Sequence, residues 1–301
     1  MMGLFSKWVE SLDYEYEILS FCTRFVSPRA TCNQCIDSCT EAAITLVKGK
    51  PSIENDKCSE CGYCISACPV QAIAGIYPRR TIIQDQLVIQ GSQLPTAKEL
   101  LILRKKGVHV IVAKTMELVE SWKEPIDEAN KILTQLEEKP FSLVIKSVEA
   151  DQYYSRRELF SFWKSEGTSV LKQVAPAKWR FNHKDFDLLR YYKDFQFTSI
   201  TVDLEKCTLC TACQKLCEKK CFDIQGDKFL ILPQGCSSCQ LCVDTCQEKA
   251  ISVVDEISRA TTIAHPIYER VCTSCRKTYK TVREHDEKCV ACRKRENYFR
   301  R

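Results

Sequence analysis

Twenty-one of the 301 residues are cysteine, against three methionines and nine glycines. They fall in three islands. The first holds Cys22, Cys32, Cys35, Cys39, Cys58, Cys61, Cys64 and Cys68. The second holds Cys207, Cys210, Cys213, Cys217, Cys221, Cys236, Cys239, Cys242 and Cys246, and the third Cys272, Cys275, Cys289 and Cys292. Sulfur at this density either cross-links a small secreted chain or grips metal. The start of the chain, MMGLFSKWVESLDYEYEILSF, has no apolar core leading to a cleavage site and carries Asp13, Glu15 and Glu17 early. The expectation is therefore a chain kept in a reducing cytoplasm, its thiols free to hold metal.

Spacing narrows the chemistry. The run Cys58-x2-Cys61-x2-Cys64-x3-Cys68 recurs as Cys207-x2-Cys210-x2-Cys213-x3-Cys217 and as Cys236-x2-Cys239-x2-Cys242-x3-Cys246. The last cysteine of one run and the first of the next are 19 apart in both islands, 39 to 58 and 217 to 236. The following residues align as CTEAAI at 39–44, CPVQAI at 68–73, CEKKCF at 217–222 and CQEKAI at 246–251. Four copies of one unit in two pairs read as an internal duplication. Three thiolates from such a loop reach three corners of a 4Fe–4S cube, and the fourth points to the neighbouring cluster. The second island then divides into Cys207, Cys210, Cys213 and Cys246 for one cluster, and Cys236, Cys239, Cys242 and Cys217 for the other.

This arrangement resembles the bacterial two-cluster ferredoxins over residues 200–255, with every ligand position filled. The first island resembles the same family but departs from it. Cys58, Cys61, Cys64 and Cys39 make one complete set. The other has Cys32, Cys35 and Cys68, while Arg29 occupies its first position; proline follows Cys68 alone, with Thr40, Glu218 and Gln247 at the matching places. Cys22 is the spare thiol nearby and is the expected fourth ligand; a three-iron cluster and a non-cysteine ligand stay open. Cys221 aligns with Ala43, Ala72 and Ala250, so it reads as a buried cysteine filling a small apolar slot.

The third island is spaced differently, as two C-x2-C knuckles separated by thirteen residues. Cys272, Cys275, Cys289 and Cys292 look like a zinc ribbon, a tetrahedral sulfur site with no ligand left over. A rubredoxin-like iron site uses the same four thiolates. His285, between the knuckles, reads as a surface histidine.

The rest of the sequence must position these thiols. Residues 43–53 and 222–231 each read as strand–turn–strand. Domains this small bury little apolar surface, so clusters would stand in for a core. Between 80 and 200 there is no metal ligand. Helices are expected over 97–106 and 116–136, the latter interrupted near Pro125, with strands over 108–112 and 141–148; this makes a β–α–β unit. No glycine-rich turn follows Val112, so a dinucleotide or P-loop site is not supported. His109 reads as a core histidine. Ser155-Arg156-Arg157-Glu158 reads as a helix start, and the aromatics from Trp163 to Phe197 as packing residues. Phe5, Trp8, Val9, Leu12, Tyr16 and Leu19 follow helical spacing.

The expected fold is α+β: an amphipathic helix over 1–21, a dicluster domain with one irregular site over 22–80, a cysteine-free α/β and aromatic-rich insert over 81–199, a second dicluster domain over 200–258, and a zinc-ribbon-like tail over 268–301. The net charge is +5, yet the residues from Arg270 onward carry eleven Lys+Arg against four Asp+Glu, so the remainder is slightly acidic. No apolar run is long enough to span a membrane. About four 4Fe–4S clusters and one zinc imply a polyferredoxin-like electron carrier, relaying single electrons to or from a partner oxidoreductase. It reads more as a carrier or iron–sulfur subunit than as a stand-alone enzyme, because no residues for substrate chemistry are evident. The alternative is a cluster-bearing regulatory or maturation factor whose ribbon docks a client protein or, less favoured, nucleic acid. A third reading is a reductase acting at the insert or at the irregular Cys22 cluster.

Overall fold

Short elements dominate the computed structural model, which describes residues 16–75, 77–78, 80–90, 93–145 and 183–299. Through the first island run β1 (Glu17–Ile18), α1 (Thr23–Val26), α2 (Gln34–Asp37), β2 (Ile44–Val47), β3 (Lys50–Ile53), α3 (Tyr63–Ala67) and β4 (Ile73–Ala74). Next come β5 (Thr81–Ile83), β6 (Gln86–Val88), α4 (Ala97–Lys105), β7 (Val110–Ala113), α5 (Met116–Gln135) and β8 (Ser142–Ile145). The second island brings β9 (Phe195–Val202), α6 (Ala212–Leu216), β10 (Phe222–Gln225), β11 (Lys228–Ile231), α7 (Leu241–Thr245) and β12 (Ile251–Arg259). The chain continues through β13 (Ile263–Pro266), β14 (Tyr268–Val271), β15 (Thr278–Thr281) and α8 (Val290–Phe299). These are mixed α and β elements in small sheets, consistent with an α+β fold.

Two compact units interleave in sequence. One takes the residues up to Leu19, Gln34–Leu46 and Pro51–Tyr191; the other takes Ser20–Asn33, Val47–Lys50 and the residues from Tyr192 onward.

In the first unit the β–α–β expectation holds. The sheet runs β5-β6-β7-β8, with β5 antiparallel to β6 and the other three parallel. α4 connects β6 to β7 and α5 connects β7 to β8, the crossover that parallel strands require. Thr96 caps α4 by accepting the Glu99 N–H at 3.1 Å, and Gly107 ends it at φ +96°, where a side chain would be strained. The break expected at Pro125 does not occur. α5 continues through it, burying Trp122, Ile126, Ala129 and Leu133 on one face. A helix-interior proline costs about 3 kcal/mol, whereas each large side chain buried on that stripe returns about 1.5–3 kcal/mol.

Two further expectations need correction. His109 is exposed and precedes β7; its ring meets Arg104 rather than a core. The N-terminal helix was expected to reach residue 21, but Glu17–Ile18 pair with Ile73–Ala74 as a strand. Tyr16 is thereby buried where Gly75 leaves room, since a Cβ there would meet the tyrosine ring at 2.8 Å. The remainder of that helix, the segment at Ser155 and Trp163, Trp179 and Phe181 lie outside the described residues. Of the described aromatics, Phe186 is buried against Tyr77, ring centroids 4.5 Å apart.

A buried polar knot holds this unit to the first island. Glu99, on α4, is fully buried; Tyr77 Oη donates to it at 2.8 Å and Arg80 Nε at 2.8 Å. Arg80 also reaches the carbonyls of Gln93 and Leu94. Beside it, Ser66 on α3 shares a 2.7 Å hydrogen bond with Thr96, and Lys98 donates to the Ser66 carbonyl. A buried charge is tolerable only when paired and hydrogen-bonded in this way.

In the second unit β9 pairs antiparallel with β12, and β10, β11 and β13 form a three-stranded sheet. The strand–turn–strand expectation for 222–231 is met, with Gly226 at φ +58° in the turn. β13 lies in the stretch left unassigned between the dicluster and ribbon segments. Ile200, Phe222, Phe229, Ile231 and Val253 form the core, and cysteines of the second island pack against it.

Candidate metal centres

The cysteine runs share a backbone geometry that ordinary packing does not require. In three runs the residues on both sides of the second cysteine are left-handed: Glu60 and Gly62, Leu209 and Thr211, Ser238 and Gln240. The third residue after the last cysteine is also left-handed in all four copies: Ala42, Gln71, Lys220 and Lys249. That conformation turns the next N–H onto the cysteine sulfur. Ala43, Ala72, Cys221 and Ala250 donate to Cys39, Cys68, Cys217 and Cys246 at 3.3, 3.1, 3.4 and 3.3 Å. Nine of the thirteen non-glycine residues with positive φ serve these loops. At about 1–2 kcal/mol each, such strain persists where surrounding structure or a bound group over-determines it. Around Cys32, by contrast, Thr31 and Asn33 are not left-handed, although Cys35 opens α2 as Cys64, Cys213 and Cys242 open their helices. The backbone departs from the pattern where the sequence does.

In the first unit Cys39, Cys58, Cys61 and Cys64 line one recess, walled also by Tyr16, Ala43, Ile44, Ile53 and Gly62. The 19-residue interval is bridged by the β2–β3 hairpin, which returns the chain from Cys39 to Cys58. Gly62 has no tolerance for a side chain, because a Cβ would lie 2.7 Å from the Tyr77 ring. Burial, together with the charges of Cys61, Cys58, Cys35 and Cys39, pushes the Cys64 thiol up to about 12. Thiols crowded this way stay protonated at neutral pH until cations neutralise them. The sequence pattern did not flag Tyr16 as a wall residue, because its helical spacing pointed elsewhere. Cys68 is buried in the same unit, which also holds Cys35.

In the second unit Cys207, Cys213 and Cys242 are raised by burial, Cys213 to about 12. Cys221 is buried, as expected, but does more than fill a slot. Its thiol hydrogen-bonds to Cys217 and Cys236, lowering them to about 6 and about 7. Cys210 is exposed. Burial pushes Cys239 up to about 11, with contributions from Cys236, Cys217 and Cys32. Cys22 lies in this unit with Cys32, whose charge it feels, and is raised chiefly by burial.

Cys272, Cys275, Cys289 and Cys292 converge differently. All four sulfur atoms lie within 4.8 Å of one another, and Cys275 and Cys289 are 3.9 Å apart. Thiolates at about 2.3 Å from one tetrahedral ion sit about 3.8 Å from each other, so these residues fit a single metal ion. The first pair lies in the turn between β14 and β15, and the second stands at the start of α8. Asp286 fastens the two together, accepting from Thr281 Oγ1 at 2.7 Å and pairing with Arg283 and Arg293. Backbone N–H groups of Cys275 and Cys289 lower the Cys272 thiol to about 6. His285 is exposed, as expected. Among the described residues no other set of three or more cysteines closes to these distances.

Residues 51–74 match the family of 4Fe-4S binding domains. The match runs from β3 to β4 and includes Cys58, Cys61, Cys64 and Cys68. Comparison with curated proteins yields no match. The matched domain and the wealth of cysteine point to iron–sulfur chemistry of the electron-transfer kind, and a 4Fe–4S group is supported in this segment. No described helix is long and apolar enough to cross a membrane.

Proposed function

We propose that the chain is a duplicated, polyferredoxin-like electron-transfer protein with four 4Fe–4S clusters and a C-terminal zinc ribbon, serving a partner oxidoreductase. The observation that carries this reading is the recess in which Cys39 joins Cys58, Cys61 and Cys64, the set that spacing assigns to one cluster. Recurrence of the N–H to sulfur geometry at four cysteines supports the count of four. The ligand set of Cys32, Cys35, Cys68 and Cys22, and those of the second island, rest on spacing.

When bound, such clusters take up and release one electron at a time. The chain's own part is to hold and tune them. The cysteines bind; the N–H groups of Ala43, Ala72, Cys221 and Ala250 donate to sulfur, favouring the more negative reduced state and so raising the potential. Tyr16, Ile44 and Ile53 wall the recess and limit water. The C-terminal thiolates hold one ion that ties β14–β15 to α8.

Iron and acid-labile sulfide counting on anaerobically purified chain tests the reading. About sixteen irons per chain, with reversible low-potential reduction and electrons passed to a redox enzyme, are expected. A colourless, sulfide-free and compact chain overturns it. Redox-silent clusters with salt-sensitive nucleic-acid binding would favour the regulatory alternative.

A further inference from the structure

Residues 20–33 carry Cys22 and Cys32 from the first island, yet belong to the unit built around the second. A defined contact holds them there. The Thr31 N–H donates to Asp244 Oδ2 at 2.7 Å, and the Thr31 hydroxyl lies 3.0 Å from each carboxylate oxygen. Thr31 immediately precedes Cys32, and Asp244 stands on α7 midway between Cys242 and Cys246. One hydrogen-bonded contact thus joins a cysteine loop of the first island to a cysteine helix of the second.

Both sides of the contact are braced. The Arg24 guanidinium donates to the Cys32 carbonyl at 2.6 Å, the Thr31 carbonyl at 2.9 Å and Asn33 Oδ1 at 2.6 Å. Three consecutive residues are thereby held by one rigid fork. On α7, Thr245 donates to the Leu241 carbonyl at 2.7 Å, and Gln240 reaches the Val253 carbonyl on β12. The equivalent position on α3 is Ser66, which binds Thr96 of the insert. The residue two places after the third cysteine therefore anchors a neighbouring segment in both copies, with a different chemistry in each.

We propose that Asp244 is a positioning residue for electron transfer: through Thr31 it holds the Cys32 loop against the Cys236–Cys239–Cys242 run, so that electrons cross between the two islands there. This rests on the cluster reading above. The step moves one electron, supplied by the partner oxidoreductase, from a reduced centre that is oxidised to an oxidised neighbour that is reduced. No bond forms or breaks and no proton is required.

The test uses the full chain, isolated anaerobically, with iron and sulfide counted first. A wild-type chain without iron–sulfur clusters overturns the proposed function itself, before any variant is made. With clusters present, Asp244→Ala, Asp244→Asn and Thr31→Val are compared by EPR of the dithionite-reduced protein and by intramolecular electron re-equilibration after flash photoreduction. Asp244→Ala is expected to keep its iron, slow re-equilibration at least tenfold and narrow the spin–spin broadening. Asp244→Asn, which keeps one acceptor oxygen, falls between, and Thr31→Val, which keeps its N–H bond, changes the rate about twofold. Wild-type rate and line shape in Asp244→Ala at full iron content overturn the proposal. If Asp244→Ala loses iron, the other two variants decide it on the same readouts, unchanged values again overturning it.

Discussion

The recess of Cys39, Cys58, Cys61 and Cys64 and the C-terminal group of Cys272, Cys275, Cys289 and Cys292 each use four thiols, but they prepare for different guests. The C-terminal sulfurs close to single-ion distances, and backbone N–H groups hold Cys272 near 6, so part of the site is already anionic at neutral pH. The recess is lined by its four cysteines without such closure, with Cys64 pushed up to about 12 by burial and neighbouring sulfur charge. Two facing pairs converge on a point. Three thiols on one strained loop plus one from a distant turn line a shared recess. Ligand count alone does not distinguish a mononuclear ion from a polynuclear cluster; the distribution of ligands along the backbone does.

Single cysteine replacements should separate the two most sharply. Cys58→Ala is expected to remove about four irons per chain and leave the C-terminal ion, while Cys272→Ala does the reverse. Elemental analysis of both variants checks this, and loss of both metals from either one would break the distinction. The scaffolds should differ next. Glu99→Ala leaves Arg80 buried and unpaired beneath the first site, a loss of about 3–5 kcal/mol. Asp286→Ala, at the partly exposed joint of the second, should cost about 2 kcal/mol. Denaturant unfolding of the metal-loaded proteins measures both.

pH sharpens the contrast further. Cys272 is depressed from the ordinary thiol range near 9, so its stabilisation is complete above that range and is lost as pH falls through about 6. Release of the C-terminal ion to a chromophoric chelator should have its midpoint no higher than about pH 6; a midpoint above 7 would mean the site is not anionic in advance. The smallest effect should come from Cys221→Ala. Removing its hydrogen bonds to Cys217 and Cys236 destabilises the reduced, more negative state, so one cluster potential should fall while iron content holds. Redox titration followed by EPR would detect it, and an unchanged potential would return Cys221 to a packing role.

Much of the local structure was legible because it depends on neighbours in sequence. Thr96 and Gly107 bracket α4, the alternating runs at 222–231 became β10 and β11, and β7–α5–β8 followed from apolar periodicity. Pro125 misled because the tertiary burial of Trp122, Ile126 and Leu133 outweighs a local helix penalty. His109 misled because the strand begins one residue later and the ring reaches back to Arg104. Tyr16 was placed on a helical stripe by periodicity, yet β1 pairs with β4 and carries its ring to the recess wall. A strand partner 55 to 57 residues away leaves no periodic trace.

Cysteine spacing by itself determined which thiols can share a loop and which chemistry suits them, because three residues of spacing fix how far a backbone turn can carry a sulfur atom. Only the tertiary structure decided that four C-terminal sulfurs close around a point, that Cys221 bridges Cys217 and Cys236, and that Thr31 meets Asp244. Those contacts join residues far apart in the chain. Their distances are set by the burial and strand pairing of everything between them, which no local pattern encodes.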